Sequence, residues 1–70
     1  SYLIKEFGNV KTALAAYNAG IGRVRNWLRM EEYSKDGIVL DKIPISETQN
    51  YVEKVIKSRD KYQELYFSGK

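Results

Sequence analysis

The sequence predicts an all-α fold of about four helices, and three observations support that prediction. Apolar residues recur at positions i, i+3, i+4 and i+7, a spacing that lines them along one face of a helix. Glycine, asparagine and serine stand where such segments stop and start, as they do at helix ends. No long segment shows the alternation of apolar and polar residues that a half-buried strand requires.

Size and composition limit what the chain can do. Its 70 residues make one domain at most, and a domain of that size hides only about 60% of the surface of the unfolded chain. The chain contains no cysteine and no histidine, which excludes disulfides, thiolate nucleophiles, histidine bases and the usual zinc sites. Chemistry is therefore left to carboxylates, tyrosines and amides. No apolar run approaches the roughly 20 residues of a membrane span, and we expect none.

The first two helices are predicted on either side of a Gly-Asn pair. Residues 2–7 have the pattern of a helix that ends at Gly8, because glycine readily adopts a left-handed cap conformation. Asn9 is then expected to cap a second helix that runs to about Ala19. The predicted apolar face of this second helix consists of Val10, Ala13, Leu14 and Tyr17.

A Gly-x-Gly break is predicted to separate the second helix from an amphipathic third helix. Gly20 and Gly22 form this break, since a phosphate-binding loop would need more glycines and a preceding strand. The apolar positions of the third helix, with Trp27 as a core residue, are Val24, Trp27 and Leu28. Residues 31–43 are predicted to form a loop, in which residues 38–40 could pair as a strand within a larger protein.

The fourth helix has the clearest start signal. Pro44 precedes Ser46, and Ser46 with Gln49 matches a capping box, in which the two side chains satisfy free backbone N–H groups at the helix start. We expect this helix to run to about Phe67. Its predicted apolar stripe consists of Val52, Val55, Ile56, Tyr62 and Leu65.

The first part of the chain is basic. Residues 1–30 hold five basic side chains against the single acidic Glu6, and the whole chain has a formal charge of +3. This excess could attract a polyanion such as nucleic acid, teichoic acid or an anionic membrane face, or it could be a solvated helix face. A helix-turn-helix interpretation would place Arg23, Arg25 and Arg29 on DNA. We favour the solvated face and expect no nucleic-acid partner.

Two separated motifs carry a resemblance to a known family. The segment YLIKEFGNVKTALAAYNAGIGRVRNWL, followed after a loop by IPISETQNYVEKV, closely resembles the C-terminal half of the catalytic domain of soluble lytic murein transglycosylases. These belong to glycoside hydrolase family 23 and have a goose-type-lysozyme-like fold. The chain departs from the family pattern at Ile21, where proline is usual, and at Gln49, where arginine is common.

The resemblance implies an enzyme activity on peptidoglycan. Family members cleave the β-1,4 bond between N-acetylmuramic acid and N-acetylglucosamine without water, and they leave a 1,6-anhydromuramoyl end. A single glutamate first protonates the glycosidic oxygen and then accepts the proton of the 6-hydroxyl group. The resemblance implies no cofactor and no metal. It also implies a parent protein in the bacterial cell envelope, either periplasmic or extracellular.

The family's catalytic glutamate belongs to an upstream motif that this chain does not contain. No glutamate of the chain lies in an apolar context suited to a general acid, and Glu47 occupies the first turn of a predicted helix, where the helix dipole favours the carboxylate. We therefore expect residues 1–70 to be the C-terminal part of a single transglycosylase domain. The upstream half would hold the catalytic acid, and the isolated chain would be inactive.

The residues that match family motifs form the predicted site. Tyr17 and Asn18 align with a pair that lines the glycan groove, and Tyr51 aligns with a tyrosine that orients the catalytic glutamate. Without the resemblance, Tyr17 would be interpreted as a core aromatic and Asn18 as a helix-end residue. Structural roles in the helix break and in the first turn of the fourth helix are expected for Gly20, Gly22, Glu47 and Thr48.

The resemblance predicts a peptidoglycan glycan strand as the binding partner. The chain also carries many large apolar side chains for its size, and its pattern opens in the middle of a helix. We therefore expect an exposed face that associates with the missing half or with a second copy of the chain. A self-associating or glycan-binding module without catalysis remains the alternative function.

Overall fold

The computed structural model describes residues 2–58, which form four α-helices and no strand. These are α1 (Tyr2–Phe7), α2 (Val10–Ala19), α3 (Ile21–Leu28) and α4 (Ser46–Ser58). The predicted all-α class is confirmed. Tyr62, Leu65 and the predicted helix end near Phe67 lie outside the described residues.

Helix α2 is the centre of the fold because it packs against α1, α3 and α4. The five consecutive residues of the segment 12–16 are all buried. Burial is therefore not limited to one face of α2. The prediction of an apolar face is also wrong at its last residue, because Tyr17 is 52% exposed. A helix with neighbours on three sides buries most of its surface, and the alanines of α2 let those neighbours lie close.

The ends of α1 and α2 follow the sequence signals. Gly8 has a φ of 77° and donates its N–H to the Ile4 carbonyl at 2.7 Å. Asn9 caps α2, since its side-chain oxygen accepts the Thr12 N–H at 2.9 Å. These predictions are confirmed.

Gly20 is the single residue between α2 and α3. Its N–H donates to the Ala16 carbonyl at 2.8 Å, and its own carbonyl accepts the Val24 N–H at 3.1 Å. Its φ of 105° lies in the region that favours glycine. Gly22 lies within α3 and has no positive φ among the glycines of the described residues. The prediction that Gly22 is part of the break is therefore wrong, because one residue completes the turn.

The segment of residues 30–45 links α3 to α4 and completes the core. Leu40 is fully buried and donates its N–H to the Thr12 hydroxyl oxygen at 3.2 Å, while Ile43 is also buried. Ile38 is 59% exposed. Residues 38–40 form no strand within residues 2–58, and their pairing as a strand within a larger protein stays a prediction.

A compact turn organises the middle of this segment. The Asp36 carboxylate accepts the N–H groups of Val39 and Ile38, at 3.0 and 2.9 Å. The Ser34 hydroxyl donates to the Val39 carbonyl at 2.7 Å. The backbone amide of Val39, followed by that of Ile38, lowers the pKa of Asp36 because both stabilise its ionised form.

Helix α4 starts differently from the prediction. The Gln49 backbone N–H donates to the Ile45 carbonyl at 2.9 Å, so Ile45 stands at the N-cap position. The Gln49 side-chain amide donates to Glu53, one turn ahead, rather than back to the helix start. The capping box is therefore not formed. Three residues of the predicted apolar stripe are described. Val52 and Val55 are buried as predicted, whereas Ile56 is exposed, so the prediction is wrong there.

The core combines side chains from all four helices with those of the 30–45 segment. Val24 and Trp27 of α3 are buried as predicted, which confirms Trp27 as a core residue. Within residues 2–58, none of the helices has the length and apolar character needed to cross a bilayer.

Candidate functional site

The C-terminal turn of α2 meets the first turns of α4. Tyr17 and Asn18 are adjacent in the last turn of α2. Thr48 and Tyr51 are three residues apart on α4 and therefore share one face of that helix. Packing of α2 against α4 brings the two pairs together, across 30 or more positions of sequence. We call these four residues the α2–α4 junction.

The two tyrosines of the junction stack on each other. The ring centroids of Tyr17 and Tyr51 are 6.2 Å apart, and the ring planes differ by 15°. This separation is within the range of favourable aromatic pairs. Tyr17 leaves half of its surface exposed, whereas the Tyr51 hydroxyl oxygen is buried. The stacking therefore holds an exposed aromatic ring in a defined orientation on α2.

A hydrogen bond fixes the amide of Asn18. The Thr48 hydroxyl donates to the Asn18 side-chain oxygen at 2.8 Å. Thr48 is only 2% exposed, so this hydroxyl has little freedom to move. Asn18 is exposed, and with its oxygen engaged its Nδ2 amino group has no hydrogen-bond partner among residues 2–58. The junction thus offers a fixed hydrogen-bond donor.

An exposed ring beside an oriented amide is suited to a polar, ring-shaped ligand. The aromatic face can pack against the C–H groups of a sugar, and the amide can donate to a carbonyl or hydroxyl oxygen. The junction itself contains no carboxylate. Glu47, one residue before Thr48, is exposed, and its carboxylate makes no hydrogen bond or ion pair with the described residues. The junction thus presents an aromatic face and an amide donor but no carboxylate.

The two glycines of the predicted break lie in different elements. Gly20 joins α2 to α3 and lies two residues after Asn18. Apart from its chain neighbours, no atom of residues 2–58 lies within 4 Å of where its Cβ would be, which leaves open space at the end of α2. Gly22 is the second residue of α3 and is likewise bordered by open space.

The α3 arginines do not form a helix-turn-helix reader. A helix-turn-helix joins its helices by a turn of three to four residues, whereas Gly20 alone separates α2 from α3. Arg25 forms an ion pair with Glu6 of α1. The expectation of no nucleic-acid partner stays a prediction.

The bond between Asn18 and Thr48 was missed by sequence reasoning, which assigned Thr48 only to the first turn of α4. The usable signal was spacing, because Thr48 and Tyr51 share a helix face. If Tyr51 faces the groove, its neighbour Thr48 must face the same way. Only the packing of α2 on α4 shows which α2 residue it meets.

Comparisons with known proteins agree on one family. The family model described as the transglycosylase SLT domain matches residues 1–39. The chain is 43% identical over 70 aligned residues to a soluble lytic murein transglycosylase of Escherichia coli K12, which covers 97% of the chain and 10% of that protein. It is 46% identical over 57 residues to the protein of the same name from Salmonella typhimurium, covering 79% of the chain and 9% of that protein.

The chain spans about a tenth of the length of these curated relatives. No solved structure matches the chain significantly. The family model ends before α4, so Tyr17 and Asn18 fall inside it and Thr48 and Tyr51 fall outside. The longer alignment to the Escherichia coli protein extends over nearly the whole chain.

Proposed function

The chain belongs to the transglycosylase SLT domain family, and from that premise we propose that it forms one wall of the glycan groove of a peptidoglycan lytic transglycosylase. The complete enzyme would cleave the N-acetylmuramic acid to N-acetylglucosamine bond and leave a 1,6-anhydromuramoyl product. The observation that carries the proposal is the α2–α4 junction, where both family motifs contact each other through side chains.

Each junction residue has a role in this proposal. The exposed ring of Tyr17 contacts the sugar face, and the Asn18 amino group donates to an N-acetyl or hydroxyl oxygen of the glycan. Thr48 keeps the Asn18 amide in the required orientation. Tyr51 supports the Tyr17 ring and, through its hydroxyl, orients the catalytic carboxylate contributed by another segment of the enzyme.

The catalytic acid is proposed to lie outside this chain. A general acid at neutral pH needs a raised pKa, which a carboxyl group acquires by desolvation in an apolar pocket. Glu6 is bound to Arg25 and Glu53 accepts from Gln49, while the other described glutamates are exposed. Glu64 lies outside the described residues. The chain alone should therefore bind glycan without cleaving it.

Purified sacculi test the absence of catalysis. The isolated chain is incubated with peptidoglycan, and soluble products are analysed by mass spectrometry, with the Escherichia coli relative as a positive control. The proposal predicts no anhydromuropeptides from the chain. Their release by a preparation free of other lytic enzymes would contradict it.

A substitution at Asn18 tests the groove assignment. In Asn18→Asp, the carboxylate can still accept the Thr48 hydroxyl but can no longer donate to a sugar oxygen. We expect affinity for a chitin oligosaccharide, measured by calorimetry, to fall about five- to tenfold, the equivalent of one lost hydrogen bond. Asn50→Asp, at an exposed α4 position, makes the same change in charge and should leave affinity unchanged. Equal effects of the two substitutions would contradict the assignment.

Localisation and self-association complete the proposal. A peptidoglycan substrate places the complete enzyme in the bacterial cell envelope. The exposed Tyr2 and Ile56 add apolar surface to the chain, and association through such a face stays a prediction. Sedimentation of the chain at increasing concentration measures it, and a strictly monomeric species would contradict self-association while leaving the groove assignment intact.

A further inference from the structure

The outer face of α3 contains an open pocket of about 540 Å³ that is lined by Gly22, Arg23, Arg25, Asn26 and Arg29. All five residues belong to α3 or to its C-cap. None of them is a member of the α2–α4 junction. The glycan proposal therefore leaves the pocket without a role.

The pocket carries a positive charge that the protein does not neutralise. Of its three guanidinium groups, that of Arg25 is paired with Glu6, whereas Arg23 and Arg29 have no ion pair with residues 2–58. Three positive charges against one carboxylate leave two. Asn26 adds an amide whose side chain makes no hydrogen bond within the described part of the chain.

Gly22 lines the pocket in the first turn of α3, where no backbone conformation requires glycine. It lies inside a helix, has no positive φ, and a Cβ there would meet no atom within 4 Å. Alanine would fit at this position, and alanine has a higher helix propensity than glycine. No contact within residues 2–58 therefore requires glycine, but its missing side chain gives a ligand access to the backbone between the arginines.

We propose that the α3 pocket binds a phosphate group, with the guanidinium groups of Arg23 and Arg29 as its principal ligands. Guanidinium groups match the oxygens of phosphate in a two-pronged geometry. The net positive charge of the pocket has the opposite sign and about the same magnitude as the charge of a phosphate monoester, which is about −1.5 to −2 at pH 7. A carboxylate would neutralise only half of it. The phosphate belongs either to a soluble monoester or to a lipid headgroup.

Titration of the ¹⁵N-labelled chain with inorganic phosphate at constant ionic strength tests the pocket by NMR. We expect saturable shifts of the Gly22 and Arg23 backbone amides and of the Asn26 side-chain amide. Acetate at equal concentration should give much weaker shifts because it carries one charge. Absence of a saturable response to phosphate into the tens of millimolar range overturns the proposal.

Two pairs of charge substitutions separate the pocket from net charge. The double variant Arg23→Gln/Arg29→Gln should weaken phosphate binding by at least about tenfold. The control Lys54→Gln/Lys57→Gln removes the same charge from exposed positions of α4 and should change it little. If both double variants weaken binding equally, the interaction is general electrostatic attraction and the proposal fails.

Gly22→Ala should change phosphate affinity and thermal stability in opposite directions. The substitution should raise Tm slightly because alanine favours a helix more than glycine does, and it should weaken phosphate binding several-fold because the Cβ enters the pocket. A variant that is at least as stable and has unchanged phosphate affinity would contradict the role of Gly22 in the binding site.

Vesicles distinguish the two sources of phosphate. Co-sedimentation of the chain with phosphatidic acid vesicles, but not with phosphatidylcholine vesicles, would identify a lipid headgroup, provided that Arg23→Gln/Arg29→Gln abolishes it. Binding of inorganic phosphate without vesicle binding would identify a soluble monoester. Either result supports the phosphate pocket, whereas vesicle binding that survives the double substitution contradicts it.

Discussion

The 30–45 segment and the α2–α4 junction use their side chains in opposite ways. The segment has no regular secondary structure, yet it places Leu40 at 0% exposure in the core. The junction is built on two helices, yet it leaves Tyr17 half exposed. The segment has a buried hydrogen bond with α2, through the Thr12 hydroxyl, and the junction has a partly buried hydrogen bond between Thr48 and the exposed Asn18.

The difference shows where stability and recognition reside. An irregular segment can be essential to folding when it buries apolar side chains, because burial contributes most of the folding free energy. An exposed ring held by a neighbouring ring contributes little to folding and is available to a ligand. Substitutions in the segment should therefore change stability, and substitutions in the junction should change binding.

Leu40→Ala should have the largest effect. It removes a fully buried side chain, which costs about 2–5 kcal/mol of the free energy of unfolding, a large part of what a small domain has. Urea denaturation followed by circular dichroism measures the loss. Ile38→Ala in the same segment, at an exposed position, should change stability by less than about 0.5 kcal/mol. If the two variants lose comparable free energy of unfolding, burial of Leu40 is not the reason that the segment stabilises the fold.

Thr48→Val should have an intermediate effect and should change both stability and glycan affinity. It keeps the shape of the side chain but removes the hydroxyl bound to Asn18, which costs about 0.5–1.5 kcal/mol. Because the Asn18 amide loses its anchor, glycan affinity should also fall. Thr48→Ser retains the hydroxyl and should preserve glycan affinity, as measured by calorimetry. Loss of stability with no change in affinity would assign Thr48 a structural role only.

Local signals predicted the end of α1 and both ends of α2 well, because Gly8, Asn9 and Gly20 act on the backbone within a few residues. Burial was predicted less well. The contact between Thr12 and Leu40 joins positions 28 apart, and no spacing rule relates them. The same holds for the bond between Asn18 and Thr48. The family resemblance identified the junction residues, but only the packing shows how they contact each other.

Tyr17→Ala should separate binding from stability most clearly. The substitution removes an exposed ring and its stacking on Tyr51, so the cost in stability should be about 0.5–1 kcal/mol. Affinity for a chitin oligosaccharide should fall several-fold or more. Tyr2→Ala, which removes another exposed tyrosine on α1, should leave affinity unchanged. If the two variants bind equally well, Tyr17 is not part of a glycan site.

Asp36→Asn should have the smallest effect, and it should depend on pH. The backbone amides of Val39 and Ile38 lower the pKa of Asp36 in the folded state, so ionised Asp36 favours folding above its unfolded-state pKa. This contribution is lost as the pH falls through the lowered pKa. The native chain should therefore exceed Asp36→Asn in Tm at neutral pH, and the difference should shrink as the pH falls through the lowered pKa of Asp36. A difference that grows in acid would contradict this assignment.

An NMR titration of the ¹⁵N-labelled chain with a chitin tetrasaccharide tests the assignment of recognition to the junction most directly. The account predicts saturable shifts at Tyr17, Asn18, Thr48 and Tyr51, with the signals of Ser34 and Asp36 unchanged. Shifts confined to the 30–45 segment, or no saturable shift in the junction, would contradict it.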